Sequence, residues 1–167
     1  MNRRSLMVAL ALVFVASIVP RAALADRLRL QASFAVAFAG TPNSPPVAFC
    51  GGQPLEFKVE AHGDGYSSLG SLAFFLQKTV STAGALHGCL TLNTPDGDSL
   101  FATYDGKQGQ PNANNFVTDA SGALTFTGGT GLFKGAKGKA NFTAVFSLDQ
   151  AIGFYIVDGK LSAGYEG

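Results

Sequence analysis

Apolar and polar residues alternate along much of this chain. The stretch at 123–146 shows the pattern on both sides of a glycine-rich corner, with Leu124 and Phe126 before it and Ala140 to Phe146 after it. Side chains on a strand point to opposite faces in turn, so this period predicts half-buried strands. Similar alternation predicts further strands at 28–39, 55–61, 69–80, 86–93, 100–105 and 152–157. The segment 69–80 also fits one face of a helix, but the glycines around it favour a strand.

Turn-forming residues separate these segments. Glycine with Asp, Asn or His predicts turns at 62–65, 93–98, 119–122 and 158–159, and the polar stretch 106–115 is the longest predicted loop. The prolines at 42–46 predict another loop. About eight strands joined by short turns, without a predicted helix, are typical of an all-β sandwich or barrel. We predict a single antiparallel β-barrel of about eight strands.

The glycine-rich corner is predicted to be a bend between two strands. Glycine adopts positive φ and allows close backbone approach, which such a bend requires. Leu132 and Phe133 are the large apolar residues in it and are expected to fold inward as a plug. The glycines also resemble the start of a dinucleotide-binding fingerprint, but Lys134 stands where the next glycine is needed and a strand follows. The predicted structural corner comprises Gly128, Gly129, Gly131, Phe133, Gly135 and Gly138.

Residues 1–25 have the pattern of a secretory signal peptide. Arg3 and Arg4 precede an apolar run at 6–19, and Ala23-Leu24-Ala25 forms a small-x-small cleavage site. The apolar run is shorter than the roughly 20 residues of a membrane span. We therefore expect an exported protein, periplasmic or secreted, whose mature chain at 26–167 is one barrel domain without a membrane span. A retained N-terminal anchor is the alternative.

Charge gives little indication of a nucleic-acid partner. Without the three arginines of the predicted signal peptide, 9 of the 12 basic residues remain against 11 acidic ones. The basic residues are scattered, whereas nucleic-acid binders concentrate them on one face. We expect no nucleic-acid partner.

Two cysteines, Cys50 and Cys89, remain in the mature chain. An even number in an exported protein predicts one disulfide bond between them. It would close a loop of about 40 residues and add roughly 3–4 kcal/mol of stability. The alternative is two separate buried thiols. The absence of a C-x-x-C pair argues against a redox role.

The corner and a hairpin together resemble a known superfamily. The run T-G-G-T-G-L-F-K-G-A-K-G at 127–138 is similar to the G-G-T-G-x-F-x-G-A-x-G signature of the allene oxide cyclase-like and dirigent-like barrels. The hairpin pattern of these barrels is matched at 88–92, 97–100 and 104–106. Their upstream Leu-Gly pair is matched by Leu69 and Gly70. Many members are small exported bacterial proteins of unassigned role. The resemblance implies an eight-stranded antiparallel barrel, but it transfers no catalytic residue, because this fold carries unrelated functions.

No catalytic or metal-binding pattern is evident in the sequence. The chain has 2 histidines, too few and too far apart to predict a metal site. It lacks the G-x-S-x-G motif of a nucleophile elbow. Because the dinucleotide-binding fingerprint is broken at Lys134, we expect no cofactor.

The 14 phenylalanines are expected to line the barrel and its core. An eight-stranded barrel has room for at most one small ligand. We therefore predict a protein that binds a small apolar or aromatic ligand, or a partner protein. A cyclase-, isomerase- or dirigent-like enzyme that steers a reactive intermediate inside the barrel is the alternative. Candidate ligand-binding residues near the barrel mouth are His62, Asp64, Tyr66 and Tyr104.

Overall fold

A computed structural model describes residues 28–41 and 57–162. These residues form eight β-strands and one turn of 3₁₀ helix between the sixth and seventh strands, Gly131–Phe133. The strands are β1 (Leu28–Thr41), β2 (Phe57–Ser67), β3 (Gly70–Val80), β4 (Ala85–Asn93), β5 (Ser99–Gln108), β6 (Val117–Gly129), β7 (Lys137–Ser147) and β8 (Ile152–Ser162).

The eight strands form one closed antiparallel barrel in chain order. Each strand pairs with the strands before and after it, and β8 closes the barrel by pairing with β1. Phe34 on β1, for example, lies opposite Gly65 on one side and Tyr155 on the other. Closure leaves no unpaired strand edge. The predicted fold class is therefore confirmed.

The barrel interior is the hydrophobic core. Alternate residues of every strand point inward and are buried, including Leu30, Phe34, Leu72, Leu90 and Leu124. Aromatic rings fill the middle of the lumen around one tyrosine. The ring of Tyr155 lies with its centroid 5.0 Å from Phe74, 5.4 Å from Phe146 and 6.1 Å from Phe142.

Three predicted turns are wrong, because residues 62–65, 119–122 and 158–159 lie inside β2, β6 and β8. The glycines there make room for neighbouring groups and do not bend the chain. A Cβ at Gly65 would lie 2.5 Å from Cδ1 of Phe34, and one at Gly122 would lie 2.7 Å from Cε1 of Phe142. Glycine within a strand thus marks close packing against it.

The glycine-rich corner covers one end of the barrel. Gly131 has a φ of 49°, and a Cβ there would overlap the Asp98 carboxylate. The same carboxylate accepts a hydrogen bond of 3.0 Å from the backbone N–H of Leu132. Phe133 is 5% exposed and plugs the barrel end, as predicted. The prediction that Leu132 also folds inward is wrong, since this side chain is 73% exposed. Consecutive residues of a 3₁₀ turn point about 120° apart, so only one of the two can face the lumen.

Several sequence predictions fall outside the described residues. These include the signal peptide at 1–25, the proline-rich loop and Cys50. Cys89 is half-buried on the outward face of β4, and no cysteine in the described part of the chain is free. The Cys50–Cys89 bond stays a prediction. Residues 28–41 and 57–162 include no helix long and apolar enough to cross a membrane.

Candidate functional site

The end of the barrel opposite the glycine-rich corner contains a cavity of about 650 Å³. We call it the mouth cavity. It lies where β1, β3 and β7 end and where β2 and β8 begin. Most of its lining is apolar, and a few polar groups come from three strands and a turn. The lining comprises Phe38, Ala39, Gly40, Phe57, Val59, Ala61, Lys78, Val80, Ser81, Thr82, Gln108, Phe146, Leu148, Ala151 and Tyr155.

Lys78 is the charged side chain of this cavity. It follows Leu72, Phe74 and Leu76 on the inward face of β3 and is 3% exposed. Its Nζ lies 4.3 Å from the ring centroid of Phe146. Within the described residues no carboxylate or hydrogen-bond acceptor pairs with it. Such an amine in apolar surroundings is unusual, because burying a charge without a partner is unfavourable.

Burial makes the charged form of this amine less favourable than it is in water. Removal from water lowers the pKa of Lys78 to about 7. The ring faces of Phe146 and Tyr104, the latter 5.8 Å away, offer the cation partial compensation. At neutral pH the side chain is therefore divided between an ammonium ion and a free amine. Lysines in such environments serve as nucleophiles and general bases.

Two buried tyrosines lie in the lumen near Lys78. The Tyr104 ring stacks on the Phe142 ring, with 4.2 Å between centroids. The centroid of the Tyr155 ring lies 6.3 Å from that of the Tyr104 ring. The two hydroxyls interact with each other, but in the described part of the chain neither makes a hydrogen bond of standard geometry. Burial raises the pKa of both phenols, so both remain protonated. An unpaired buried hydroxyl is unfavourable, and a polar group on a bound molecule would remove this penalty.

The four sequence-predicted ligand residues do not come together. Tyr104 faces the lumen and is 1% exposed. His62, Asp64 and Tyr66 lie on the outward face of β2, because strand alternation places all three opposite to Ala61. Tyr66 is 78% exposed. The lumen thus contains one of the four candidates, and the other three belong to the outer surface.

The outer three candidates have other neighbours. The His62 ring packs on Phe75, with 4.6 Å between centroids. Asp64 and Tyr66 line a shallow outer groove of about 540 Å³ beside Pro95 and Phe154. A ligand-binding role for these residues stays a prediction.

Sequence reasoning missed Lys78 and Tyr155. A usable signal existed for Lys78, since it continues the spacing of Leu72, Phe74 and Leu76 by two residues. No comparable signal existed for Tyr155, because the first half of β8 is apolar on both faces. Its inward face carries Tyr155 and Val157, while Phe154 and Ile156 are 51% and 55% exposed.

The exposed side of β8 forms an apolar stripe on the outer surface. Ile152, Phe154 and Ile156 are about half exposed, and Val145 on β7 lies opposite Phe154 and is 53% exposed. Exposed apolar patches often mark interaction surfaces. A partner protein stays a prediction, as the stripe alone does not indicate what would cover it.

The described ranges contain no group of three or more His, Cys, Asp or Glu side chains that could hold a metal ion. Comparison with protein families, with curated proteins and with solved structures finds no match to this chain. The eight-stranded antiparallel barrel that the superfamily resemblance implies is present. Membership of the allene oxide cyclase-like and dirigent-like superfamily stays a prediction.

Proposed function

We propose that this protein binds one small, largely apolar molecule in the mouth cavity. The observation that carries the proposal is a cavity of about 650 Å³ with an apolar lining and a few inward polar groups. Ligand sites in proteins have volumes of about 300–1,000 Å³ and the same balance of apolar walls and few polar contacts. The apolar walls would supply affinity, and Lys78 with Tyr155 would orient the molecule.

A neutral apolar dye, N-phenyl-1-naphthylamine, tests this proposal by its fluorescence increase on binding. Val80 lines the cavity from the end of β3, so Val80→Trp should fill part of it and weaken dye binding at least tenfold. Thr103→Trp adds the same ring to the outward face of β5 and should bind the dye like the wild type. Circular dichroism checks that both variants are folded. Equal binding by wild type and Val80→Trp, or no binding by the wild type, would refute the proposal.

We also propose that the protein is exported and acts outside the cytoplasm. Its support is the sequence of residues 1–25, with two arginines, an apolar run and a small-x-small site. An intact mass measured on protein from its host should correspond to a chain that begins at Asp26. A mass that includes residues 1–25 would contradict export with cleavage.

An isomerase- or cyclase-type activity is the second candidate. The inward-facing cluster of Lys78, Tyr104 and Tyr155 favours it, because an amine and two protonated phenols could guide proton transfer in a dry lumen. Molecules that copurify with the protein provide the test. Wild type should convert such a molecule to an isomer of equal mass, and Lys78→Met should not. Unchanged molecules after incubation with wild type would refute the activity and leave binding in place.

A further inference from the structure

We propose that the Lys78 amine captures carbonyl compounds, forming an imine with an apolar aldehyde or ketone held in the mouth cavity. This inference rests on the proposed function, because the carbonyl compound must first occupy the cavity. It goes further by naming the ligand class and the atom that bonds to it.

The position of Lys78 is the first support. The residue opposite it on β4 is Gly88, where a Cβ would lie 2.7 Å from Cα and 2.8 Å from Cβ of Lys78. The lysine stem therefore lies against a strand that has no side chain at this point. Its amine reaches a cavity lined by Val59 and Phe146. Among the described residues, Lys78 is the one buried amine, and it faces a ligand-sized space.

The protonation of Lys78 is the second support, because only a free amine attacks a carbonyl. Burial lowers its pKa to about 7, compared with 10.5 for an ordinary lysine. Within residues 28–41 and 57–162, the aromatic and titratable groups near it are the phenols of Tyr104 on β5 and Tyr155 on β8 and the Phe146 ring on β7. None of these carries a negative charge that would restore the ammonium form. Much of Lys78 is thus nucleophilic at neutral pH.

The reaction needs no oxidant or reductant. The nitrogen lone pair attacks the carbonyl carbon, and a proton moves from nitrogen to oxygen to give a carbinolamine. The hydroxyl then leaves as water with one further proton from nitrogen, and a C=N bond forms. Tyr155 lines the same cavity with a buried, protonated hydroxyl. This hydroxyl can donate a hydrogen bond to the carbonyl oxygen and to the departing hydroxyl.

A carboxylic acid is the competing ligand class, since its carboxylate could pair with the Lys78 ammonium. That pairing requires a charged amine, and the apolar lining disfavours the charge before the ligand arrives. The carbonyl class needs the free amine, which burial already makes abundant at neutral pH. We therefore assign the site to carbonyl compounds.

Reductive trapping tests this assignment. Purified protein is incubated at pH 7 with 2-naphthaldehyde and cyanoborohydride, which converts an imine to a stable secondary amine. Peptide mass mapping then compares Lys78 with Lys107, which is exposed on β5. We expect labelling of Lys78 to be at least about tenfold faster, because an ordinary lysine is almost wholly protonated at this pH. Excess N-phenyl-1-naphthylamine should slow it.

Variants separate the possible results. Lys78→Met should lose the fast label, and Lys107→Met should keep it. If the dye binds in the cavity but Lys78 reacts no faster than Lys107, the carbonyl assignment is overturned and the proposed function stands. Tight binding of 2-naphthoate together with slow labelling would overturn it in favour of carboxylates. Failure of the dye to bind, with slow labelling, would overturn both.

Discussion

The buried amine of Lys78 should make the stability of this protein depend on pH in a specific way. A pKa of about 7 in the folded chain, against 10.5 for an ordinary lysine, means that the unfolded chain binds more protons between these values. The free energy of unfolding therefore rises with pH in this window. Below pH 7 both states are protonated and the full penalty for the buried charge is present. As pH rises from 7 towards 10.5 the penalty disappears.

The structure also sets the size of this effect. A fall in pKa from 10.5 to about 7 corresponds to roughly 5 kcal/mol, at about 1.4 kcal/mol for each pKa unit. About 3 kcal/mol of this should be recovered between pH 7 and pH 9.5. Lys78→Met removes the charge and keeps an unbranched side chain of similar length. Its advantage in stability over the wild type should be largest at pH 6.5 and should shrink as pH rises.

Urea unfolding between pH 6.5 and 9.5 measures the effect. The chain has no tryptophan, so far-UV circular dichroism is the appropriate signal. Lys107→Met removes an exposed lysine and should follow the wild-type curve. Parallel curves for wild type and Lys78→Met would refute the reasoning, because they would mean that the folded state hydrates the Lys78 amine.

Three other predictions concern the barrel end and the cysteines. Phe133→Ala should lower the free energy of unfolding by about 3–5 kcal/mol. Leu132→Ala changes an exposed side chain and should alter this free energy by less than about 0.5 kcal/mol. If urea unfolding shows a larger loss for Leu132→Ala than for Phe133→Ala, Phe133 does not plug the barrel end. Asp98→Ala removes the acceptor of the Leu132 N–H and should lower thermal stability by about 1–3 kcal/mol, and an unchanged melting temperature would show that the contact is unimportant. If Cys50 and Cys89 form a disulfide bond, alkylation of the unfolded, unreduced protein should label neither of them. Reduction of this bond should lower the free energy of unfolding by roughly 3–4 kcal/mol. Labelling of both cysteines without reduction would show that they are separate thiols.

Strand periodicity made the fold predictable from the sequence. Alternation along β1, β3, β4 and β7 places one apolar face of each strand in the core whatever the partner strand is. The glycines were harder to interpret. Glycine suits both a turn and a position under a neighbouring ring, and the sequence does not show which ring will be there. Gly65 beneath Phe34 and Gly122 beneath Phe142 became clear only once the strands were paired.

The candidate site depended on tertiary structure for the same reason. Alternation places Lys78 on the inward face of its strand, but its burial depends on Phe146 and Tyr155, which are brought to it across the lumen from β7 and β8. The lowered pKa is a result of that closure, because apolar groups from several strands together keep water away from the amine. The sequence by itself determined about eight strands and a glycine-rich corner, a pattern typical of a sandwich or a barrel. Only closure of the barrel decided which barrel end the corner plugs and which side chains line the mouth cavity at the opposite end.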